Sequence, residues 1–116
     1  MRAEVLCAPI FKEFMMSHSA EITITLTKDS AKGRYVATVA GIDEPAELTF
    51  SIVSDHMIIA DHTGVPDSMR GMGVGKALVE RLVADAREHS IKIVPLCPYV
   101  NAQRQKHPEW ADVFQG

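Results

Sequence analysis

From Glu21 onward, apolar and polar residues alternate. Ile22, Ile24 and Leu26 are interleaved with Thr23, Thr25 and Thr27, a period of two with β-branched residues that predicts a half-buried strand. Lys28 to Gly33 is polar turn chemistry, and a second strand is expected over Arg34 to Ala40. Gly41 to Pro45 reads as another turn. Leu48, Phe50 and Ile52 alternating with Glu47, Thr49 and Ser51 predict a third strand. After a break at Ser54-Asp55, Met57 to Ala60 leads into Asp61 to Val65. That fourth strand is apolar on both faces and is expected inside the sheet. The short connections predict an antiparallel meander.

Pro66 to Met72 cannot continue a strand, and the period then changes. Leu78, Val79, Leu82, Val83 and Ala86 form one stripe of a helix over Val74 to His89, with Glu80, Arg81, Asp85, Arg87 and Glu88 on its wet side. Ile91 to Leu96 predicts a fifth strand, and a β–α–β crossover of this length makes it parallel to the fourth. Pro98 favours a new start, Val100 to Lys106 a short helix, and Pro108 its end. The order is β-β-β-β-α-β-α, an α/β (α+β) domain with a mixed, mostly antiparallel sheet. Residues 1–19 show no clear period and are read as an extension preceding a single domain over 20–116.

Composition narrows the classes. A chain of 116 residues is one domain's worth, and 47% hydrophobic with 23% charged residues fits a folded globular domain rather than a disordered chain. No apolar run approaches the ~18 residues of a membrane-spanning helix. A net charge of -3 argues against a nucleic-acid binder. Cys7 and Cys97 are far apart and form no metal-type pair. With no export signal readable at the N-terminus, where Glu4 follows Arg2 and Pro9 interrupts the apolar run, the cytoplasm is expected. His56 and His62, six apart on one strand, would share a face. Asp61 would alternate away, so no metal is expected.

Arg70-Gly71-Met72-Gly73-Val74-Gly75-Lys76 carries the strongest chemical signal. It lies between a buried strand and a helix. The glycines allow close backbone approach, and the helix start with its dipole offers free N–H groups to an anion, with Arg70 and Lys76 adding charge. A phosphate-loop pattern fails because Arg70 stands where its first glycine belongs and Ala77 where it needs Ser or Thr. The dinucleotide pattern fails too, ending on Lys76 or Leu78, and it belongs after the first strand of a parallel sheet.

Arg70-x-x-Gly73-x-Gly75 resembles the pyrophosphate-binding turn of the GCN5-related N-acetyltransferases, which use acetyl-coenzyme A, and the strand order agrees. Four ordered motifs narrow the likeness: His62-Thr63-x-Val65-Pro66, Arg70-Gly71-x-Gly73, Val94 to Val100, and His107-Pro108-Glu109-Trp110. Together they are similar to the small single-domain members of the YjdJ type, over roughly residues 20–113. The helical pair that larger relatives insert after the first strand is missing, and only Lys28 to Gly33 is available there.

The resemblance implies that strands four and five splay, with pantetheine against the backbone of Thr63, Gly64 and Val65. Pyrophosphate would rest on the N–H groups of Gly71, Met72, Gly73, Val74 and Gly75, beside Arg70 and Lys76. Asn101, Arg104 and Lys106 are further candidates to meet coenzyme phosphates. His62 is the candidate base for an amine acceptor. Cys97 either carries the acetyl group or lines the pocket as a small apolar residue; His62 is the partner that would activate it. Tyr99 is the candidate acid for the leaving thiolate, although larger relatives place a tyrosine farther along the last helix. His107 to Trp110 would dock the C-terminus. The implied activity is acetyl transfer to an amine on an open acceptor side, with a non-catalytic acyl-CoA-binding module as the alternative.

Overall fold

The computed structural model describes residues 21–115. Five strands form one sheet in the order of the chain: β1 (Ile22–Lys28), β2 (Lys32–Val39), β3 (Ile42–Ser54), β4 (Met57–Gly64) and β5 (Lys92–Pro95). The first four are antiparallel, and β5 runs parallel to β4 after the crossover helix α1 (Val74–Glu88). The fourth strand lies between β3 and β5, consistent with its two apolar faces. A second helix, α2 (Pro98–Lys106), begins directly after β5 with proline at its first turn.

The core lies between α1 and one sheet face. Tyr35, Ala37, Leu48, Phe50, Ile58, Ala60 and Ile93 meet Leu78, Val79, Leu82, Val83 and Ala86 of the helix, all buried. The threonines of β1 and Thr49 and Ser51 of β3 face away, as period-two alternation requires.

Two sequence readings are corrected by irregular pairing. The third strand starts at Ile42, after a tight turn at Ala40-Gly41, and so includes Pro45. Its pairing with β2 jumps from Val39↔Ile42 to Ala37↔Ala46, so Asp43 to Pro45 oppose Thr38 in a bulge. Proline has no N–H to lose from a ladder there. In β4, Phe50 pairs with Ala60 but Thr49 pairs with His62, leaving Asp61 as an extra residue. His56 is not on β4: it sits in the Asp55–His56 turn, ~20 Å of strand away from His62. The two histidines therefore do not share a strand face.

Beyond β5 the chain closes on itself. Ile93 N–H donates to Val113 O and Gln115 N–H to Ile93 O, a short parallel bridge that covers the edge of β5. Trp110, Val113 and Phe114 are buried beneath it. His107 stacks on Trp110 with ring centroids 4.1 Å apart, and Arg87 grips Asp112 through two hydrogen bonds of 2.9 and 2.6 Å.

Candidate functional site

Strands β4 and β5 stay paired from Met57↔Lys92 to Ala60↔Pro95, and the last link is Cys97 N–H to Ala60 O at 2.8 Å. They then part. Gly64 is still paired to Glu47 of β3, whereas the chain after Cys97 turns into α2. Two causes are local. The Asp61 bulge bends β4. Pro98, without an N–H, cannot extend the ladder, and it starts a helix instead.

At the mouth of this split, Pro66 ends the strand and a 3₁₀ turn over Asp67–Met69 leads to the glycines, with Met69 buried as an anchor. Gly71 and Gly73 have φ of 83° and 76°, a region that side chains with a Cβ rarely adopt. Gly73 is the residue that caps α1, where Ala77 N–H donates to its carbonyl at 3.0 Å. Among the described residues, the N–H groups of Gly71, Gly73, Val74, Gly75 and Lys76 have no partner. Met72 does not belong to this set. Its N–H donates to Met69 O at 3.1 Å and its side chain points to solvent, so the sequence-based assignment of Met72 as an anion contact is corrected. Lys76 supplies a free N–H in its place.

These groups line a hollow of about 360 Å³ bounded by Val65, Pro66, Arg70, Lys76 and Tyr99. Arg70 is exposed and paired with Asp67 at 2.6 Å, an ion pair weak enough in water to yield to a stronger anion. Lys76 stands 4.0 Å from Glu80. Electrostatically, the hollow combines a helix N-terminus with two cationic side chains.

Cys97 is a buried free thiol at the foot of the split and the residue immediately before α2. Its Sγ lies 3.4 Å from Thr63 Oγ1, a side-chain hydrogen bond that crosses the gap. Because Thr63 pairs with inward Leu48, its neighbour His62, paired with Thr49, lies on the opposite, exposed face. Thr63 rather than His62 therefore meets Cys97. His62 instead folds over Gly64, with Nε2 3.2 Å from where a Cβ would stand. Asp61 shares that open face and accepts a 2.7 Å hydrogen bond from Ser51.

Tyr99 lies on α2 but reaches the glycine turn. A Cβ on Gly75 would be 2.6 Å from its hydroxyl oxygen. Partial burial pushes its phenol up from the ordinary value. Asn101 does not line the hollow; its Oδ1 accepts from Arg104 Nε at 2.9 Å. These two residues thus satisfy each other on α2.

Among the described residues, a row of free N–H groups at a helix start thus opens into a split between a bulged strand and its parallel neighbour. Residues 34–113 match the family model described as GCN5-related N-acetyl-transferase. The chain belongs to that family. Its structure also resembles the NMR solution structure of a GCN5-like putative N-acetyltransferase from Staphylococcus aureus, with 34% identity, a TM-score of 0.58, and coverage of 79% of this chain and 88% of that one. Among relatives, Protein NATD1 of Gallus gallus is 25% identical over 100 residues, covering 80% of this chain and 91% of that protein. Protein NATD1 of Homo sapiens is 25% identical over 85 residues, covering 73% and 75%.

Within this acetyltransferase fold, β1 passes to β2 through Asp29–Ala31 alone, so no helical pair stands over the sheet there. A second hollow of about 400 Å³ lies at the far end of α1, among Leu26, Tyr35, Phe50, Ile58 and Leu82. Its floor is apolar, and within it Tyr35 Oη donates to Asp85 at 2.7 Å. It offers no row of free N–H groups. Sequence reasoning missed Thr63's contact with Cys97, because the bulge that turns it inward leaves no mark in the alternation.

Proposed function

We propose that the chain is an acetyl-CoA-dependent N-acetyltransferase that moves an acetyl group to an amine. The observation that carries this reading is the parting of β4 and β5 directly beside the five unpaired N–H groups. The N–H groups of Gly71, Gly73, Val74, Gly75 and Lys76, with the Arg70 and Lys76 side chains, would hold the pyrophosphate. The freed backbone of Thr63 to Val65 would hold pantetheine in the split. When bound, acetyl-CoA supplies the activated acetyl group. The thioester would lie near Cys97.

Thr63 Oγ1 fixes the Cys97 thiol by hydrogen bonding. On the route through Cys97, its sulfur would accept the acetyl group and pass its proton to the departing coenzyme thiolate. The amine then displaces the cysteine. On the direct route the amine attacks the thioester and Cys97 lines the pocket. In either case His62, on the open face, would take the amine's proton. No described element covers the outer sheet face, which favours a broad, large or protein-borne amine. A non-catalytic acyl-CoA-binding module is the second reading, favoured by the placement of His62 and Cys97 on opposite faces.

The test is thermal unfolding with acetyl-CoA, followed by intact mass. At 100 times the dissociation constant, binding adds ~2.7 kcal/mol, a rise of roughly ten degrees. A rise with an acetyl group gained on wild type but not on Cys97→Ala supports the cysteine route. A rise without acetylation, and without transfer across a panel of amines, favours the binding module. No rise overturns both readings.

A further inference from the structure

Gly75 has no conformational reason to be glycine. It lies inside α1 with no positive φ, where glycine costs ~1 kcal/mol relative to alanine. What it permits is contact: a Cβ there would stand 2.6 Å from Tyr99 Oη and 2.9 Å from Tyr99 Cζ. The tip of the phenol ring therefore rests on the backbone of the second helical residue. Pro98 and the Cys97 to Ala60 link set where α2 begins and so swing Tyr99 across the gap.

The hydroxyl has no hydrogen-bond partner among the described residues. It borders the same hollow as the unpaired N–H groups. Resting on the coenzyme reading above, we propose that Tyr99 is a pyrophosphate-binding residue, donating its hydroxyl hydrogen bond to a phosphate oxygen alongside the N–H groups of Val74, Gly75 and Lys76, rather than the acid that protonates the leaving thiolate. The raised phenol keeps its proton at neutral pH, as a donor must. Gly75 and Tyr99 then form one device: the missing side chain on α1 makes room for the hydroxyl that completes the cradle. The contact also ties the starts of both helices together across the split.

The experiment compares wild type with Tyr99→Phe, which keeps the ring on Gly75 and removes only the donor. Each full-length protein is titrated calorimetrically with coenzyme A and with pantetheine, which lacks the pyrophosphate. A charge-assisted hydrogen bond predicts roughly 10- to 100-fold weaker binding of coenzyme A to Tyr99→Phe, with pantetheine affinity unchanged. In wild type, inorganic pyrophosphate should shift the NMR amide signals of Gly75 and Tyr99 together, a measurement that needs no variant. Equal coenzyme A affinity in the two proteins overturns the proposal. Equal affinity with collapsed turnover restores Tyr99 as the acid. Failure of wild type itself to bind coenzyme A overturns the coenzyme reading and this inference with it.

Discussion

The two ends of α1 are built on opposite terms. At its C-terminal end the polar groups near the core are paired. Tyr35 donates to Asp85, Arg81 bridges to Asp85 at 3.0 Å and lies 5.5 Å from the Tyr35 ring centroid, and Arg87 and Lys92 hold Asp112 and its carbonyl. At its N-terminal end five N–H groups have no partner among the described residues, and two strands separate. Hollows of about 400 and 360 Å³ occupy the two ends, so volume does not distinguish them. What distinguishes them is the backbone: among the described residues a row of unpaired N–H groups lines the N-terminal hollow, whereas the other is built around the Tyr35–Asp85 pair. Unpaired donors cost stability and are tolerated where a ligand completes them.

The sharpest way to break this contrast is Gly73→Asp. Aspartate tolerates the left-handed backbone better than most residues, but its carboxylate would face the bound phosphates. Acetyl-CoA binding should fall at least about 100-fold by calorimetric titration, while melting without ligand shifts by only a few degrees. At the other end, Asp85→Ala strips partners from the buried Tyr35 hydroxyl and from Arg81. A loss of ~1–3 kcal/mol is expected, a fall of roughly 5–15 °C in Tm, with coenzyme affinity unchanged. Loss of binding in that variant would mean that the two ends are one unit.

Two pH responses sharpen the contrast further. Burial, and then the hydrogen bond to Asp85, pushes the Tyr35 phenol well above its ordinary value. Its folded value exceeds its unfolded one, so its contribution is complete below pH ~10 and declines as pH rises above it. Urea midpoints between pH ~9 and ~11 should fall in wild type and less steeply in Tyr35→Phe. The smallest effect lies at acid pH. The hydrogen bond from Arg87 lowers the Asp112 carboxyl, so its stabilisation is present above pH ~4 and is lost as pH falls through the lowered folded value. Asp112→Asn should flatten the stability profile below pH ~4 and leave ligand binding alone.

Most of the fold is readable in the sequence because each half-buried element buries one face. Ile22 to Leu26, Leu48 to Ile52 and the Leu78–Ala86 stripe announce their period directly. The glycine turn is also legible, since three alternating glycines weaken a helix start unless its backbone must be approached closely. Irregular pairing is not. Asp61 looks like any strand residue, yet its bulge decides that Thr63 rather than His62 meets Cys97. Pro45 reads as a turn because its place in the strand depends on a bulge against β2. The Val113–Gln115 bridge is too short to show a period, and its partner Ile93 is remote in sequence. Met72 sits among the glycines, but its N–H is consumed by Met69 O, a distinction that only geometry makes.

The Asp61 bulge also bears on how this chain could have acquired its outward chemistry. A regular strand presents one outward side chain between two inward ones. Here Ala60 and Thr63 stay inward while both Asp61 and His62 stand on the open face. A chain one residue shorter at this point would keep the same inner row and lose one outer group. A single inserted codon is therefore enough to add a carboxylate or an imidazole to the side from which an acceptor amine would arrive, without repacking the core.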